Sequence, residues 1–211
     1  MKKIMMIAAM MIAAISANAQ NEVGQITLQP KVGINLSTIT GKTVAGTESK
    51  AKVGLVAGVE GEYGVAENFS VTAAVLYSME GAKVKSTQNS DVAVKANLDY
   101  INIPILAQYY VIPGLAVKAG IQPAFNVRKN VKVDLPSGIP AAYVDEVNDM
   151  ADDVKGKIKS FNLSIPVGLS YEYQSFVLDA RYNIGVTKLA KDSDEGRNST
   201  FAITLGYKFA L

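Results

Sequence analysis

Eight times along this chain an apolar residue recurs at every second position, and the face it builds carries no charge. The pattern occupies residues 26–37, 53–64, 69–80, 101–111, 115–128, 161–173, 176–186 and 200–211. In the first segment Ile26, Leu28, Val32, Ile34 and Leu36 alternate with Thr27, Gln29, Lys31, Asn35 and Ser37. In the last, Phe201, Ile203, Leu205, Tyr207, Phe209 and Leu211 alternate with Thr200, Thr204, Gly206 and Lys208. About 50 positions share such faces with tyrosine as their one polar side chain, a periodicity of strands and not of helices. The connections alternate as strictly. Those after segments one, three, five and seven run to roughly 15, 20, 32 and 13 residues, and those after two, four and six to roughly 5, 3 and 2. Long loops at one end and tight turns at the other predict an all-β fold, an eight-stranded antiparallel up-and-down transmembrane β-barrel with both termini at the turn end.

The first 19 residues follow a different rule. Lys2 and Lys3 precede an apolar run from Ile4 to Ile15, followed by Ala17-Asn18-Ala19. This reads as a secretory signal peptide cleaved before Gln20, leaving residues 20–211 as the barrel domain. As a membrane helix the run would extend roughly 18 Å, short of the ~30 Å hydrocarbon layer. Removing Lys2 and Lys3 from 21 basic residues leaves 19, matching the 19 acidic ones. A neutral chain offers no basic footprint for nucleic acid, and none is expected as a partner. The chain has no cysteine and no histidine. Disulfides, thiol nucleophiles, Ser-His hydrolysis and histidine-based zinc sites are thereby excluded. A hydrolase or acyltransferase would have to work with serine and carboxylates alone, so the chain is read as no enzyme, with no catalytic, cofactor-binding or metal-ligating set.

Alternation alone does not say whether the apolar face meets lipid or a ligand-filled interior, as in a secreted lipocalin-like barrel. Three features favour lipid. The polar face is crowded with small residues, among them Gly33, Gly54, Gly58, Gly64, Gly120, Gly168, Gly185 and Gly206, which suits a narrow filled bore better than a water-facing surface. Aromatics gather near the strand ends: Tyr63, Phe69, Tyr109, Tyr173, Phe176, Tyr207 and Phe209 toward the turns, Tyr77, Tyr100, Phe125, Phe161, Tyr182 and Phe201 toward the loops. Two interfacial girdles would look like this. Finally, a lipid-facing charge at the midplane costs ~2–4 kcal/mol, and the eight apolar faces have none. Pro30, Pro104, Pro123 and Pro166 each remove a ladder donor, so bulges or a lumen-facing water are expected beside them.

Several stretches carry a resemblance. Leu98-Asp99-Tyr100-Ile101-Asn102-Ile103-Pro104-Ile105-Leu106, Lys118-Ala119-Gly120-Ile121-Gln122, Leu178-Asp179-Ala180-Arg181-Tyr182-Asn183-Ile184-Gly185 and Leu205-Gly206-Tyr207-Lys208-Phe209 together resemble the PorT-family outer-membrane β-barrel proteins of Bacteroidetes. The resemblance spans essentially the whole chain after the signal. It implies an eight-stranded barrel in the bacterial outer membrane, in contact with outer-membrane lipid. The closing segment, with Thr204, Gly206, Phe209 and Leu211, is similar to the C-terminal signal read by the barrel-insertion machinery, although it ends on leucine and not on an aromatic residue.

By alternation the bore-facing charges are Lys31, Lys118, Arg128, Arg181 and Lys208 against Glu60, Glu62, Glu80, Glu172 and Asp179. An eight-stranded barrel is wide enough only for its own side chains, so these are expected to form a paired plug, the alternative being a narrow channel for ions or small solutes. The longest loop, between Lys129 and Ser160, places Val144, Val147, Ala151, Val154 and Ile158 at helical spacing beside Asp145, Glu146, Asp149, Asp152 and Asp153. A short amphipathic helix is expected there, its apolar stripe covering the barrel mouth or meeting an extracellular or envelope protein. Its acidic face could hold Ca²⁺, but it lacks the oxygen spacing and glycine of an EF-hand. The leading expectation is a non-enzymatic outer-membrane barrel whose loops mediate an interaction or contribute to envelope integrity.

Overall fold

A computed structural model describes residues 22–40, 47–86, 93–134, 156, 158–188 and 196–211. The signal segment lies outside the described residues, as does most of the segment expected to be helical.

Ten strands follow in chain order: β1 (Ile26–Thr40), β2 (Thr47–Ala66), β3 (Phe69–Ser86), β4 (Ala93–Asn102), β5 (Ile105–Ile112), β6 (Leu115–Asp134), β7 (Phe161–Tyr173), β8 (Phe176–Gly185), β9 (Arg197–Tyr207) and β10 (Phe209–Ala210). They trace eight barrel strands, because β4 and β5 are one strand broken at Ile103-Pro104, and β9 and β10 are one broken at Lys208. Every pairing is antiparallel, and β1 pairs with β2 on one side and with β9 and β10 on the other, so the sheet closes into a barrel. Closure satisfies the backbone of every strand without leaving an edge.

The barrel is inside out. Along β3 each of Val71, Ala73, Val75, Tyr77 and Met79 is exposed and each of Thr72, Ala74, Leu76, Ser78 and Glu80 is buried. The same holds along β1, β2, β7 and β8, with the polar or charged set inside. The apolar face thus meets the outside, as lipid requires, and the lipocalin-like alternative is overturned.

The four prolines lie where the ladder is interrupted. Pro30 pairs with Val59 on one side, and on the other it lies between Leu28↔Phe209 and Lys31↔Gly206, where registered pairs stop and resume. Pro104 and Pro123 flank one gap between the β4–β5 strand and β6, across which Ile103 donates to the Pro123 carbonyl. Pro166 lies in a second gap, between β6 and β7, where registered pairs stop at Ala119↔Val167 and resume at Gln122↔Ser164. Local gaps, not bulges, absorb the missing donors. The bulges fall elsewhere, and one near Ala51 and Val56 adds a residue to β2. Beside it Gly54 admits no side chain: a Cβ there would stand 1.7 Å from the Met79 carbonyl oxygen.

Several strands run past the apolar segments at the loop end. β2 begins at Thr47, β3 ends at Ser86 and β6 at Asp134, still in register with their neighbours. Their sequence loses apolar alternation there because neither face has hydrocarbon to meet.

The lipid-facing wall makes a depth-dependent prediction. Val75, 57% exposed at the middle of β3, should tolerate arginine poorly, Val75→Arg costing ~2–4 kcal/mol, whereas Val111→Arg at the turn-end margin should cost ~0–1 kcal/mol. Reversible urea unfolding in detergent or lipid reads the difference, and equal costs would contradict the lipid-facing assignment.

Candidate functional site

Inward positions of all eight barrel strands converge on the bore and fill it in three layers. Near the turn end, Lys208 lies 2.9 Å from Glu62 Oε2 and 2.5 Å from Glu172 Oε2. Glu62 also accepts hydrogen bonds from the hydroxyls of Ser70 and Tyr110, each at 2.7 Å, and from the amide of Gln108 at 3.0 Å. One cation therefore joins carboxylates from β2 and β7, and neutral donors from β3 and β5 complete the shell.

The middle layer is an ion cluster. Glu60 Oε2 lies 2.8 Å from Lys31 Nζ and 3.3 Å from Arg181 Nη2, and its Oε1 is 3.2 Å from Lys118 Nζ. Asp179 shares two of these cations, at 2.9 Å from Lys118 and 3.2 Å from Arg181. Three cations thus surround two carboxylates, and all five side chains are buried. The grouping follows from the pleat: Asp179 and Arg181 are two apart on β8, so both face inward beside Lys118 of β6.

The layer nearest the loops is built differently. The Glu80 carboxylate is held by the side-chain amides of Asn102 and Asn198 and by the Thr200 hydroxyl. Lys52 reaches its backbone carbonyl at 2.8 Å and not its carboxylate. Among the described residues no cation forms an ion pair with Glu80. Beside it Asn35 donates to Ser78, and Ser37 accepts from the Gly81 amide. Between this layer and the ion cluster lies a cavity of about 20 Å³, lined by Ser78, Asn102, Asn183 and Thr204, room for about one water molecule. At the turn-end mouth a wider hollow of about 740 Å³ is bordered by Glu22, Glu67, Tyr110 and Glu172.

Of the ten charges expected in the bore, nine are there: Lys31, Glu60, Glu62, Glu80, Lys118, Glu172, Asp179, Arg181 and Lys208. Arg128 is not. Asp99 pairs with Arg128 while Tyr100 pairs with Asn126, so Val127 is an extra residue and the bulge turns Arg128 out of the bore. Its side chain is 66% exposed and approaches Asp99 at 3.8 Å, beside the Tyr77 hydroxyl, which donates to Asp99 at 2.7 Å. These nine are four cations and five carboxylates, and Glu80 is the carboxylate that forms no ion pair among the described residues. Tyr100, expected in the loop-end girdle, is fully buried at 0% exposure and faces inward. The remaining loop-end aromatics face out, with Phe125 against Phe161 at 5.5 Å between ring centres.

Alternation places Gln108 on the inner face, whereas Tyr110 and Asn198 lie outside the sequence-based set, and all three complete the layers. Continuing the alternation of β9 one step back from Thr200 would have found Asn198. In the closing segment Thr204 is buried, Gly206 packs against the Gln29 side chain, the Phe209 ring lies 4.7 Å from that of Tyr207, and Leu211 is exposed.

A family model described as outer membrane protein beta-barrel domain matches residues 18–191. No curated protein matches in sequence. Among solved structures, Ail, the attachment invasion locus protein of Yersinia pestis, is 13% identical with a TM-score of 0.47, over 89% of this chain and 100% of its own. OprG from Pseudomonas aeruginosa is 11% identical with a TM-score of 0.45, over 92% of this chain and 99% of its own. Neisserial surface protein A is 13% identical with a TM-score of 0.46, over 87% of this chain and 97% of its own.

The layers respond differently to loss of charge. Glu60→Gln leaves buried Lys31 without its carboxylate and Lys118 and Arg181 with Asp179 alone, and should destabilise the barrel by about 3–5 kcal/mol. Glu80→Gln removes a charge that forms no ion pair among the described residues and should cost less, about 1–2 kcal/mol, through the acceptor oxygen it takes from Asn102, Asn198 and Thr200. Urea midpoints of the refolded variants test the contrast, and an equal loss in both would refute the layered description.

Proposed function

Because the chain belongs to the outer membrane protein beta-barrel domain family, we propose that it is a non-enzymatic outer-membrane protein that keeps its bore shut and works through its loop-end surface, by meeting a partner or by supporting envelope integrity. The observation that carries this reading is the middle layer, where Lys31, Lys118 and Arg181 are locked on Glu60 and Asp179. Separating such buried charges leaves them uncompensated, so the layer resists opening. The cavity beside it, about 20 Å³ and room for about one water molecule, supports a bore filled by its own side chains. The chemistry of the bore also argues for structure over catalysis: its carboxylates are occupied by cations or amides.

Within this reading residues 1–19 act as the export signal, and Thr204, Gly206, Phe209 and Leu211 act as the mark recognised by the barrel-insertion machinery. The motifs shared with the PorT family of Bacteroidetes support placement there. The partner that meets the loops is an extracellular or envelope protein.

Planar-bilayer recording tests the shut bore. The refolded wild-type barrel should insert and carry no steady current at moderate salt. Reproducible unit conductance from correctly folded protein would instead establish a channel.

A further inference from the structure

We propose that the hollow at the turn-end mouth binds a small alkyl polyamine, a flexible chain carrying two or more ammonium groups. The hollow measures about 740 Å³, within the range of pockets that hold small molecules. Three carboxylates line it: Glu22 ahead of β1, Glu67 in the β2–β3 turn and Glu172 near the end of β7. Among the described residues no lysine or arginine does. The surrounding sequence has the same sign. The turns Glu67-Asn68, Pro113-Gly114 and Gln174-Ser175, together with the segment 22–25, hold two acidic residues and no basic one. Lys208, the cation of the turn-end layer, already bridges Glu62 and Glu172. A concave wall of one sign concentrates ions of the other. A second observation comes from Glu172. Its side chain is 8% exposed, its Oε2 is taken by Lys208, and its Oε1 has no hydrogen-bond partner. A buried oxygen of this kind calls for a donor, and an ammonium group in the hollow that Glu172 lines supplies one.

The lining selects the kind of cation. Among the described residues no three carboxylates converge closely enough to hold a metal ion, so the charges around the hollow stand apart. Val23, Val111, Ile112 and Pro113 contribute apolar wall. A hard metal ion demands converging oxygens and gains nothing from such a wall, whereas an alkyl chain buries its methylenes against it. Ammonium groups spaced along that chain can meet carboxylates that no single ion could bridge. Tyr109 and Tyr110, also in the lining, add aromatic surface of the kind that attracts ammonium groups. The site lies at the end of the barrel away from the long loops, so binding there is independent of the shut bore and of any partner at the loop-end surface, and a titration in isotropic detergent reads it whichever way the barrel is oriented.

The experiment is isothermal titration calorimetry of the refolded barrel in non-ionic detergent, with spermidine as the probe at low salt. Wild-type protein should bind it saturably at one site. A variant carrying Glu22→Gln and Glu67→Gln should bind about tenfold more weakly. One carrying Glu48→Gln and Asp134→Asn, which removes two charges at the loop ends of β2 and β6, should bind as wild type. Magnesium chloride should displace no more spermidine than sodium chloride of the same ionic strength. Nα-acetyl-lysine amide, a single ammonium on an alkyl stem, should bind far more weakly than spermidine. Absence of saturable binding, undiminished binding by the Glu22 and Glu67 variant, equal loss in the control variant, or specific displacement by magnesium would each overturn the proposal. Binding of the lysine amide as tightly as spermidine would overturn it too, and would assign the hollow to a lysine side chain of a protein. Heat-modifiable gel migration verifies folding. Should the double variant fail to fold, Glu67→Gln alone, in an exposed turn, should weaken binding about threefold, and undiminished binding there would overturn the proposal equally.

Discussion

Hydrocarbon offers a peptide group nothing to bond to, and most of this molecule follows from that. A sheet in lipid has to close on itself, because an open edge would leave a row of unsatisfied amides and carbonyls. Closing eight strands leaves a bore too narrow for anything but side chains. With apolar residues committed to the outer wall, polar ones must fill that bore, and there they meet each other in place of water. The ion cluster around Glu60 and the amide cradle around Glu80 are two solutions to one problem, the first using opposite charge and the second neutral donors.

The two solutions differ in what they ask of neighbouring strands. The cluster draws on β1, β2, β6 and β8, so it binds strands that are not all adjacent in the wall. The cradle joins β3 to β4 and β9. Together with the turn-end layer they cross-brace the barrel from inside, adding to the ladder hydrogen bonds a set of contacts that span its width. A barrel of this size is therefore stiffened most where its charges lie.

The fold was legible because lipid imposes a period of two on every strand, and each side chain's face could be counted from its neighbours. Counting failed where the backbone breaks step. Val127 adds one residue to β6, and so Arg128, inward by arithmetic, is turned out toward Asp99 and Tyr77. Nothing in the residues Asn126-Val127-Arg128 announces a bulge, since none is a glycine or proline. Tyr100 was misplaced for a different reason: an aromatic near a strand end suggests a girdle, but its parity with Asn102 puts it inside. Nine bore charges could be counted from alternation, whereas their partners could not, because pairing across the lumen depends on strand height and stagger.

The position of Lys208 bears on assembly. It sits at the break between β9 and β10, within the final few residues of the chain, yet it is the counter-ion for Glu62 and Glu172 on β2 and β7. Both carboxylates precede this lysine in the chain, and a bore sealed without it loses one ion pair at each. A polypeptide truncated ahead of this lysine, or one whose last strand docks out of step, closes around unbalanced negative charge. The seam thus couples register to charge: a last strand docked out of step would carry Lys208 away from both carboxylates.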